Sequence, residues 1–253
     1  MRLGKTWRGV RTTYSGPSAI ARDHYGYYDD WWADRPVPSR HYEAGRMRIQ
    51  SKIAGAAISH LETMDSQLGA TVRWNGNKPV LEPAEECAAV ATPELRHFLL
   101  VCSYRFAKLV YKDVRQYVSG PEAYRKVNFI QEITAGPYEQ NPQDVWHRDS
   151  AGVERAGITY ALTLYGPTTQ HAAGEYRRDQ FYPQADMFKG VSLPDDRIVS
   201  AEAGVINAFD QLYALHQAPP MHRGSPFRIF ARMSVTNVFD HAAAGGAGGP
   251  SAK

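Results

Sequence analysis

Residues 157–166, GITYALTLYG, decide the fold class, because an uncharged run of β-branched, aromatic and apolar residues lies between two glycines. Three further segments are rich in apolar and β-branched residues: KVNFIQEIT at 126–134, GVINAFD at 204–210 and FRIFARMSVTNVF at 227–239. Such short runs, separated by turns that contain Gly and Pro, predict β-strands. Because no helical pattern lies between them, they favour a jelly roll or double-stranded β-helix of the cupin-like type over a parallel α/β sheet.

The N-terminal half carries helical patterns instead. Over 51–68 apolar residues recur every three or four positions, and Gly69 follows as a stop signal, which together predict a helix. Thr92-Pro93, a hydroxyl at the N-cap followed by proline at the first helical position, predicts a second helix that ends between 117 and 120. We therefore predict a mainly β (α+β) chain, a double-stranded β-helix in which N-terminal helices brace one sheet.

The domain organisation follows from this change of pattern. We predict a single domain over 1–240, with a helical and irregular part at 1–120 and the β-helix core at 121–240. The aromatic and acidic segment 25–40 is expected to form an irregular arm that covers a site. The small-residue tail 241–253 cannot bury apolar surface, so we expect it to be disordered.

Composition excludes several function classes. The 253 residues contain 29 Lys and Arg against 26 Asp and Glu, and no basic run is present, so nucleic acid is not an expected partner. No window holds the ~18 apolar residues of a membrane span, and the first thirty residues show no signal-peptide pattern, so we expect a cytoplasmic protein. Cys87 and Cys102 lack metal-site spacing and are predicted to be buried thiols. The oligomeric state is not predictable from these features.

The segment 145–149, VWHRD, carries the sharpest chemical signal. In a strand, residues two apart share a face, so His147 and Asp149 project together. An imidazole and a carboxylate placed in this way can occupy two adjacent positions on an octahedral metal. A histidine from a distant strand would complete the 2-His-1-carboxylate triad of Fe(II) oxygenases. The positions that remain open would take a chelating keto acid and O2.

Three downstream histidines compete for the third position. His216 follows a turn glycine and an apolar strand and enters the next strand, whereas Pro219-Pro220 indicates a loop at His222. We favour His216 and keep His222 as the alternative. His171 lies in the polar run GPTTQHAAG, which predicts a solvent-facing loop.

Arginine residues near the C-terminus suggest how a keto acid and a substrate would be held. Arg228, twelve residues after His216 and inside a strand, is placed to clamp a distal carboxylate through a bidentate pair. Arg232 lies an even step away on the same face and is a candidate for a substrate carboxylate. The remaining candidates are Gln131 for the keto acid, Glu175 for a substrate ammonium, and Arg46 and Arg48 for a substrate carboxylate.

The arrangement of HRD, a distant His and then an Arg resembles that of the Fe(II)/2-oxoglutarate-dependent dioxygenases. The run 128–234, with IQEITAGPYEQNPQDVWHRDS, AAGEY and FDQLYALHQAPP, resembles more narrowly the small bacterial free amino-acid hydroxylases of the isoleucine dioxygenase type. This resemblance covers a little under half the chain, and a weaker similarity is present at 45–48.

The resemblance implies that His147, Asp149 and His216 bind Fe(II) and that Arg228 binds 2-oxoglutarate. It also implies oxidation of a small, amino-acid-like substrate. Because Asp149 is present, hydroxylation is favoured over halogenation. Oxidative cyclisation or desaturation would use the same iron site. A cupin-like hydrolase or isomerase would use the same metal ligands without a keto acid. A non-catalytic binding module would not need the HRD segment and the distant histidine to converge.

Overall fold

The computed structural model describes residues 37–38, 41–48, 51–65, 67–75, 78–83, 92–118, 120–125, 127–138, 146–147, 149, 157–176, 187–188, 193–211, 214–219 and 227–238. The helices are α1 (Ser51–Leu61), α2 (Pro93–Val114), α3 (Pro121–Arg125) and a 3-10 turn at Asp195–Arg197. The strands are β1 (Val37–Pro38), β2 (His41–Arg46), β3 (Leu68–Asn75), β4 (Lys78–Pro83), β5 (Asn128–Pro137), β6 (Trp146–His147), β7 (Ile158–Tyr165), β8 (Gln170–Ala172), β9 (Glu175–Tyr176), β10 (Met187–Phe188), β11 (Ile198–Ser200), β12 (Val205–Asp210), β13 (His216–Gln217) and β14 (Phe227–Thr236).

Two antiparallel sheets form the core of the fold. The larger has the order β2-β12-β7-β14-β5-β3-β4, and the smaller has the order β10-β6-β13-β8-β11. From β5 to β8, and again from β11 to β14, successive strands pass from one sheet to the other. This alternation is the topology of a double-stranded β-helix, so the predicted fold class is confirmed.

Strand β14 shows how the larger sheet separates its two faces. Ile229, Ala231, Met233 and Val235 belong to the hydrophobic core, whereas Arg228, Phe230 and Arg232 line a cavity on the opposite face. The period of two therefore places one set of apolar residues towards the helices and the two arginines, with Phe230, towards the cavity.

Helices α1 and α2 brace the core face of the larger sheet, as predicted. Buried apolar residues of α2 join the same core cluster as the inward residues of the strands. The Thr92 hydroxyl caps α2 by accepting a hydrogen bond from the Leu95 backbone N–H at 3.3 Å, which confirms the predicted start. The helix ends at Val114, a few residues before the predicted boundary.

A network of hydrogen bonds around Asp113 connects α2 with the larger sheet. Its carboxylate accepts hydrogen bonds from the hydroxyls of Tyr42 in β2 and Tyr160 in β7, the latter at 2.8 Å. The Tyr42 hydroxyl also lies 2.6 Å from that of Tyr117. Burial raises the pKa of Asp113 above its ordinary value, although the tyrosine hydrogen bonds oppose this shift.

Two predictions for the N-terminal half need correction. The helix predicted to reach residue 68 ends at Leu61, and Leu68 instead begins β3. Leu68, Ala70 and Val72 are buried at every second position, so Leu68 fits the period of a strand although its distance from Leu61 and Met64 also fits a helix. Strands β2, β3 and β4 extend the larger sheet within a part that was predicted to be helical and irregular.

One of the two cysteines and a small part of the aromatic arm lie within the described residues. Cys102 is buried, as expected, and burial raises the pKa of its thiol to about 12. Cys87, most of the aromatic arm at 25–40 and the tail 241–253 lie outside the described ranges. None of the helices in those ranges is both long and apolar enough to cross a membrane.

Candidate metal centre

Three side chains predicted from the sequence meet between the two sheets. One ligand atom from each of His147, Asp149 and His216 lies within 4.8 Å of the others. The Asp149 Oδ1 is 3.3 Å from the His216 Nε2 and 3.9 Å from the His147 Nε2. Two imidazole nitrogens and one carboxylate oxygen that converge on one point are the donor set of a non-heme Fe(II) site. We refer to these three residues as the ligand triad.

Strand pairing brings the two histidines of the triad together. His216 in β13 lies directly opposite His147 in β6, and their ring centroids are 4.3 Å apart. Residues directly opposite on antiparallel strands project from the same face of the sheet. Asp149 follows His147 by two positions and so reaches the same side, as the HRD spacing predicted.

The orientation of the His216 ring suits metal binding. Its Nδ1 lies 3.2 Å from the Ala214 carbonyl oxygen, and Phe209 packs against the ring with centroids 4.4 Å apart. A carbonyl accepts a hydrogen bond, so Nδ1 carries a proton and Nε2 is the ring nitrogen that faces Asp149. The backbone thus leaves Nε2 as the nitrogen that could bind a metal.

A short relay of hydrogen bonds orients the Asp149 carboxylate. The Thr159 hydroxyl donates to the Asp149 Oδ2 at 2.6 Å and accepts a hydrogen bond from the Gln211 Nε2 at 3.1 Å. Burial disfavours the ionised carboxylate, but the contacts with His216 and Thr159 outweigh this penalty and hold the pKa of Asp149 below its ordinary value. The carboxylate is therefore ionised, with Oδ1 directed at the histidines.

His171 does not lie in a solvent-facing loop, which corrects the prediction for this residue. It is fully buried in β8 directly opposite His216, and its ring stacks on that of His41 at a centroid distance of 4.9 Å. Burial, followed by the neighbouring His41 and His216, lowers the pKa of His171 well below its ordinary value. Burial also lowers the pKa of His41 to about 4. Both rings are therefore neutral packing groups behind the ligand triad.

The triad opens into a cavity of about 280 Å³ that also contains Arg228. Arg228 is 7% exposed and donates a hydrogen bond from Nη2 to the Thr169 hydroxyl at 3.1 Å. Its guanidinium lies over the rings of Phe230, at 4.2 Å, and Tyr138, at 5.3 Å. A planar cation with apolar walls and a neighbouring hydroxyl is suited to bind a carboxylate.

Arg232 also lines the cavity, where it pairs with Glu132 of the neighbouring strand. The Arg232 Nη2 and Nε donate to the Glu132 Oε2 at 2.7 and 3.1 Å. The positive charge of Arg232 contributes to lowering the pKa of Asp149. A second groove, lined by residues of β3, β4 and β5, meets this cavity at Glu132 and Thr134.

Three of the predicted binding residues are not among the described residues that line the cavity. The Gln131 amide faces α2, where it donates to the Ser103 carbonyl oxygen at 3.2 Å and accepts from the Trp74 indole at 3.3 Å. Arg46 pairs with surface acids at the edge of the sheet, and Arg48 is exposed and outside the cavity lining.

The roles of two further residues stay predictions. Glu175 lies in β9 opposite Pro38, and its side chain is not among those described. His222, the alternative third ligand, lies outside the described ranges.

Sequence reasoning missed the residues that support the site. Thr159, Gln211, Thr169 and Tyr138 have partners distant in sequence, so no local spacing predicts their contacts. The one available signal was for Thr159, since in the strand GITYALTLYG it lies two positions before Ala161, which lines the cavity.

No family model and no curated protein matches this sequence. Several solved structures can be aligned with it, among them AviO1 from Streptomyces viridochromogenes Tue57, at 16% identity over 95% of this chain and 100% of that chain, with a TM-score of 0.39. EvdO2 from Micromonospora carbonacea var. aurantiaca complexed with 2-oxoglutarate aligns at 12% identity over 83% and 90%, with a TM-score of 0.41. IDO from Bacillus thuringiensis aligns at 12% identity over 73% and 84%, with a TM-score of 0.39.

Proposed function

We propose that this protein is a non-heme Fe(II)/2-oxoglutarate-dependent oxygenase that oxidises a C–H bond of a small, amino-acid-like substrate. The observation that carries the proposal is that the ligand triad and the buried Arg228 share one cavity. The triad supplies the donor set for Fe(II) and leaves other coordination positions for a keto acid and O2.

The residues of the chain have distinct roles in this proposal. His147, Asp149 and His216 hold the iron, and the Thr159 hydroxyl keeps the Asp149 carboxylate in position. Arg228 binds the distal carboxylate of 2-oxoglutarate and so directs its keto-acid end towards the triad. The walls formed by Phe209, Phe230 and Tyr138 limit the access of water to the reacting groups.

Bound iron supplies the activation of O2, one atom of which enters the substrate while the other enters succinate as 2-oxoglutarate loses CO2. The protein contributes binding and orientation. Hydroxylation is the outcome that we favour, and desaturation or cyclisation would follow from a different placement of the substrate carbon over the same site.

The cavity size supports a small substrate. A space of about 280 Å³ must hold 2-oxoglutarate together with the reacting part of the substrate. A single small molecule fits this requirement, and Arg232 gives the cavity a second cation for a carboxylate.

Succinate release with purified protein tests the proposal. We expect release that requires Fe(II), 2-oxoglutarate and O2 together. In Arg228→Ala, the loss of a buried charge pair worth about 3–5 kcal/mol raises the KM for 2-oxoglutarate by about 100-fold or more. Arg228→Lys keeps the charge and serves as the matched control, with a smaller rise.

Two results would contradict the proposal. Metal-dependent activity without 2-oxoglutarate would indicate a cupin-like hydrolase or isomerase instead. An unchanged KM in Arg228→Ala would show that another residue binds the keto acid.

A further inference from the structure

Two consecutive residues of β7 belong to polar networks on opposite sides of the larger sheet. The Thr159 hydroxyl donates to the Asp149 Oδ2 of the ligand triad at 2.6 Å. The Tyr160 hydroxyl donates to the Asp113 Oδ2 of α2 at 2.8 Å. Successive side chains of a strand project from opposite faces, and the Cα atoms of the two residues are about 3.8 Å apart across one peptide bond. Strand β7 therefore joins the metal centre to the network around Asp113.

Tyr160 lies in a site that is closed to solvent. Its side chain is fully buried, and Asp113 is 4% exposed. The Asp113 Oδ2 also accepts a hydrogen bond from the Tyr42 hydroxyl, and the Gln116 Nε2 donates to the Asp113 Oδ1 at 3.2 Å. The phenol of Tyr160 thus has a carboxylate as its direct hydrogen-bond acceptor in a region of low dielectric constant.

The proton acceptor decides how easily a buried phenol gives up an electron. A phenol that loses an electron becomes a strong acid, and a buried site disfavours the cation that would result if the proton stayed. A carboxylate within hydrogen-bond distance takes the proton in the same step, so the product is a neutral phenoxyl radical. Burial also raises the pKa of Asp113, which makes its carboxylate a stronger base. The Tyr160–Asp113 pair therefore has both groups that such an oxidation requires.

Tyr138 provides the contrast within the cavity. It lines the same cavity as the triad, but its hydroxyl donates to the Pro219 carbonyl oxygen at 2.6 Å. A backbone carbonyl accepts a hydrogen bond but does not hold a proton at neutral pH. The guanidinium of Arg228 lies 5.3 Å from the Tyr138 ring and disfavours a further positive charge there. Tyr160 is thus more readily oxidised than Tyr138, although Tyr138 forms part of the cavity wall.

We propose that Tyr160 is a protective electron donor to the metal centre and that Asp113 accepts its proton. When O2 and 2-oxoglutarate react at the iron without a bound substrate, the oxidant that forms there takes one electron from Tyr160. The phenol O–H bond breaks, the proton moves to the Asp113 Oδ2, and the oxidant at the iron is reduced by one electron. A one-electron reductant such as ascorbate, together with the proton held on Asp113, restores the phenol. This inference rests on the proposed function for the source of the oxidant.

A purely structural role for the network would have a different signature. Removal of the Tyr160 hydroxyl would then lower the free energy of unfolding and have no spectroscopic effect. An electron donor predicts instead a radical that depends on this one hydroxyl. The identity of the oxidised residue is therefore the quantity to measure.

The first experiment uses the iron-loaded protein without any substrate. Protein that holds Fe(II) and 2-oxoglutarate is mixed with O2, and the phenoxyl radical is followed by its optical absorption and by electron paramagnetic resonance of rapidly frozen samples. Ring-deuterated tyrosine identifies the radical as a tyrosine. The variants are Tyr160→Phe, which keeps the ring, and Asp113→Asn, which keeps the shape and removes the base. Tyr111→Phe is the matched control, because Tyr111 is a partly buried tyrosine that packs against Phe129.

The second experiment uses the metal-free protein and so does not depend on the proposed function. The azide radical, generated by pulse radiolysis, removes one electron from tryptophan and tyrosine side chains. The electron vacancy then migrates to the side chain that is most easily oxidised. We expect it to settle on Tyr160 in wild type, and the electron paramagnetic resonance spectrum of the final radical should change in Tyr160→Phe but not in Tyr111→Phe.

In the iron-loaded protein, we expect wild type and Tyr111→Phe to form the tyrosine radical at the same rate. Tyr160→Phe should lose the radical and should be inactivated after fewer turnovers without substrate. Asp113→Asn should form the radical about 100-fold more slowly or less, because a positioned base contributes about 10²- to 10⁴-fold to the rate of a proton transfer. Circular dichroism establishes that the variants are folded.

The inference and the proposed function fail in distinguishable ways. The inference is wrong if the radical persists in Tyr160→Phe, if it is lost in Tyr138→Phe instead, or if wild type releases succinate without substrate and forms no radical. The proposed function stands in each of these cases. If the radical settles on Tyr160 in the metal-free protein but Fe(II), 2-oxoglutarate and O2 release no succinate, the proposed function is wrong, and Tyr160 stands as the electron donor of the chain.

Discussion

Replacement of Thr159 by valine tests whether the structure around the triad prepares it for iron. Thr159 is fully buried, and its hydroxyl is the donor described for the Asp149 Oδ2. Because this hydroxyl already accepts a hydrogen bond from Gln211, its own proton is directed at the carboxylate. Valine has a similar shape but no hydroxyl, so the change leaves Asp149 free to rotate and Gln211 without its acceptor.

The size of the effect follows from the kind of bond. The Thr159–Asp149 hydrogen bond is 2.6 Å long and has an ionised acceptor. Hydrogen bonds to charged groups contribute about 1.5–3 kcal/mol, which corresponds to about 10- to 100-fold in an equilibrium constant. Loss of a partner that orients a metal ligand weakens metal binding by about the same factor. We therefore expect the Kd for Fe(II) to rise by about 10- to 100-fold in Thr159→Val.

Anaerobic competition with a chromophoric Fe(II) chelator measures this Kd directly. Thr159→Ser, which keeps the hydroxyl, is the matched control and should bind Fe(II) nearly as well as wild type. Circular dichroism establishes that both variants are folded. An unchanged Kd in Thr159→Val would refute the view that this hydroxyl fixes the metal-binding orientation of Asp149.

Three other predictions follow from the same structure. Alanine at any position of the ligand triad should abolish turnover and Fe(II) binding, whereas His222→Ala should retain both. Loss of iron binding in His222→Ala but not in His216→Ala would show that His222 is the third ligand. Asp113 has a raised pKa in the folded state, so its contribution to stability is present below its unfolded pKa and is lost as pH rises through the folded pKa. The free energy of unfolding, measured with urea from acidic to neutral pH, should show this fall in wild type but not in Asp113→Asn. The same pH dependence in both proteins would contradict the prediction. Gln131→Leu should lower the free energy of unfolding by about 1 kcal/mol and leave 2-oxoglutarate binding unchanged. A raised KM for 2-oxoglutarate would show instead that Gln131 contributes to binding the keto acid.

Features with a local period could be predicted from sequence. The spacing of two between His147 and Asp149 predicted a shared face, and the Thr92-Pro93 signal predicted the start of α2, because both depend on backbone geometry over a few residues. The apolar runs likewise predicted the long strands of the larger sheet. The even step from Arg228 to Arg232 correctly placed both on the cavity face.

Features that depend on strand register could not be predicted in this way. The partnership of Arg232 with Glu132 joins residues one hundred positions apart and exists only because β14 pairs with β5 in one register. His171 lies in a strand of three residues within a polar run, so its burial comes from the neighbouring strands and not from its own sequence. Gln131 was assigned to the wrong face because the direction of its strand relative to the cavity was unknown.

Anaerobic titration with Fe(II) and 2-oxoglutarate tests the central claim most directly. If the triad holds iron and Arg228 orients the keto acid towards it, wild type should develop a weak visible charge-transfer band only when both are present. The band should be absent in His216→Ala and should need much more 2-oxoglutarate in Arg228→Ala. The absence of this band in wild type at saturating Fe(II) and 2-oxoglutarate would contradict the account.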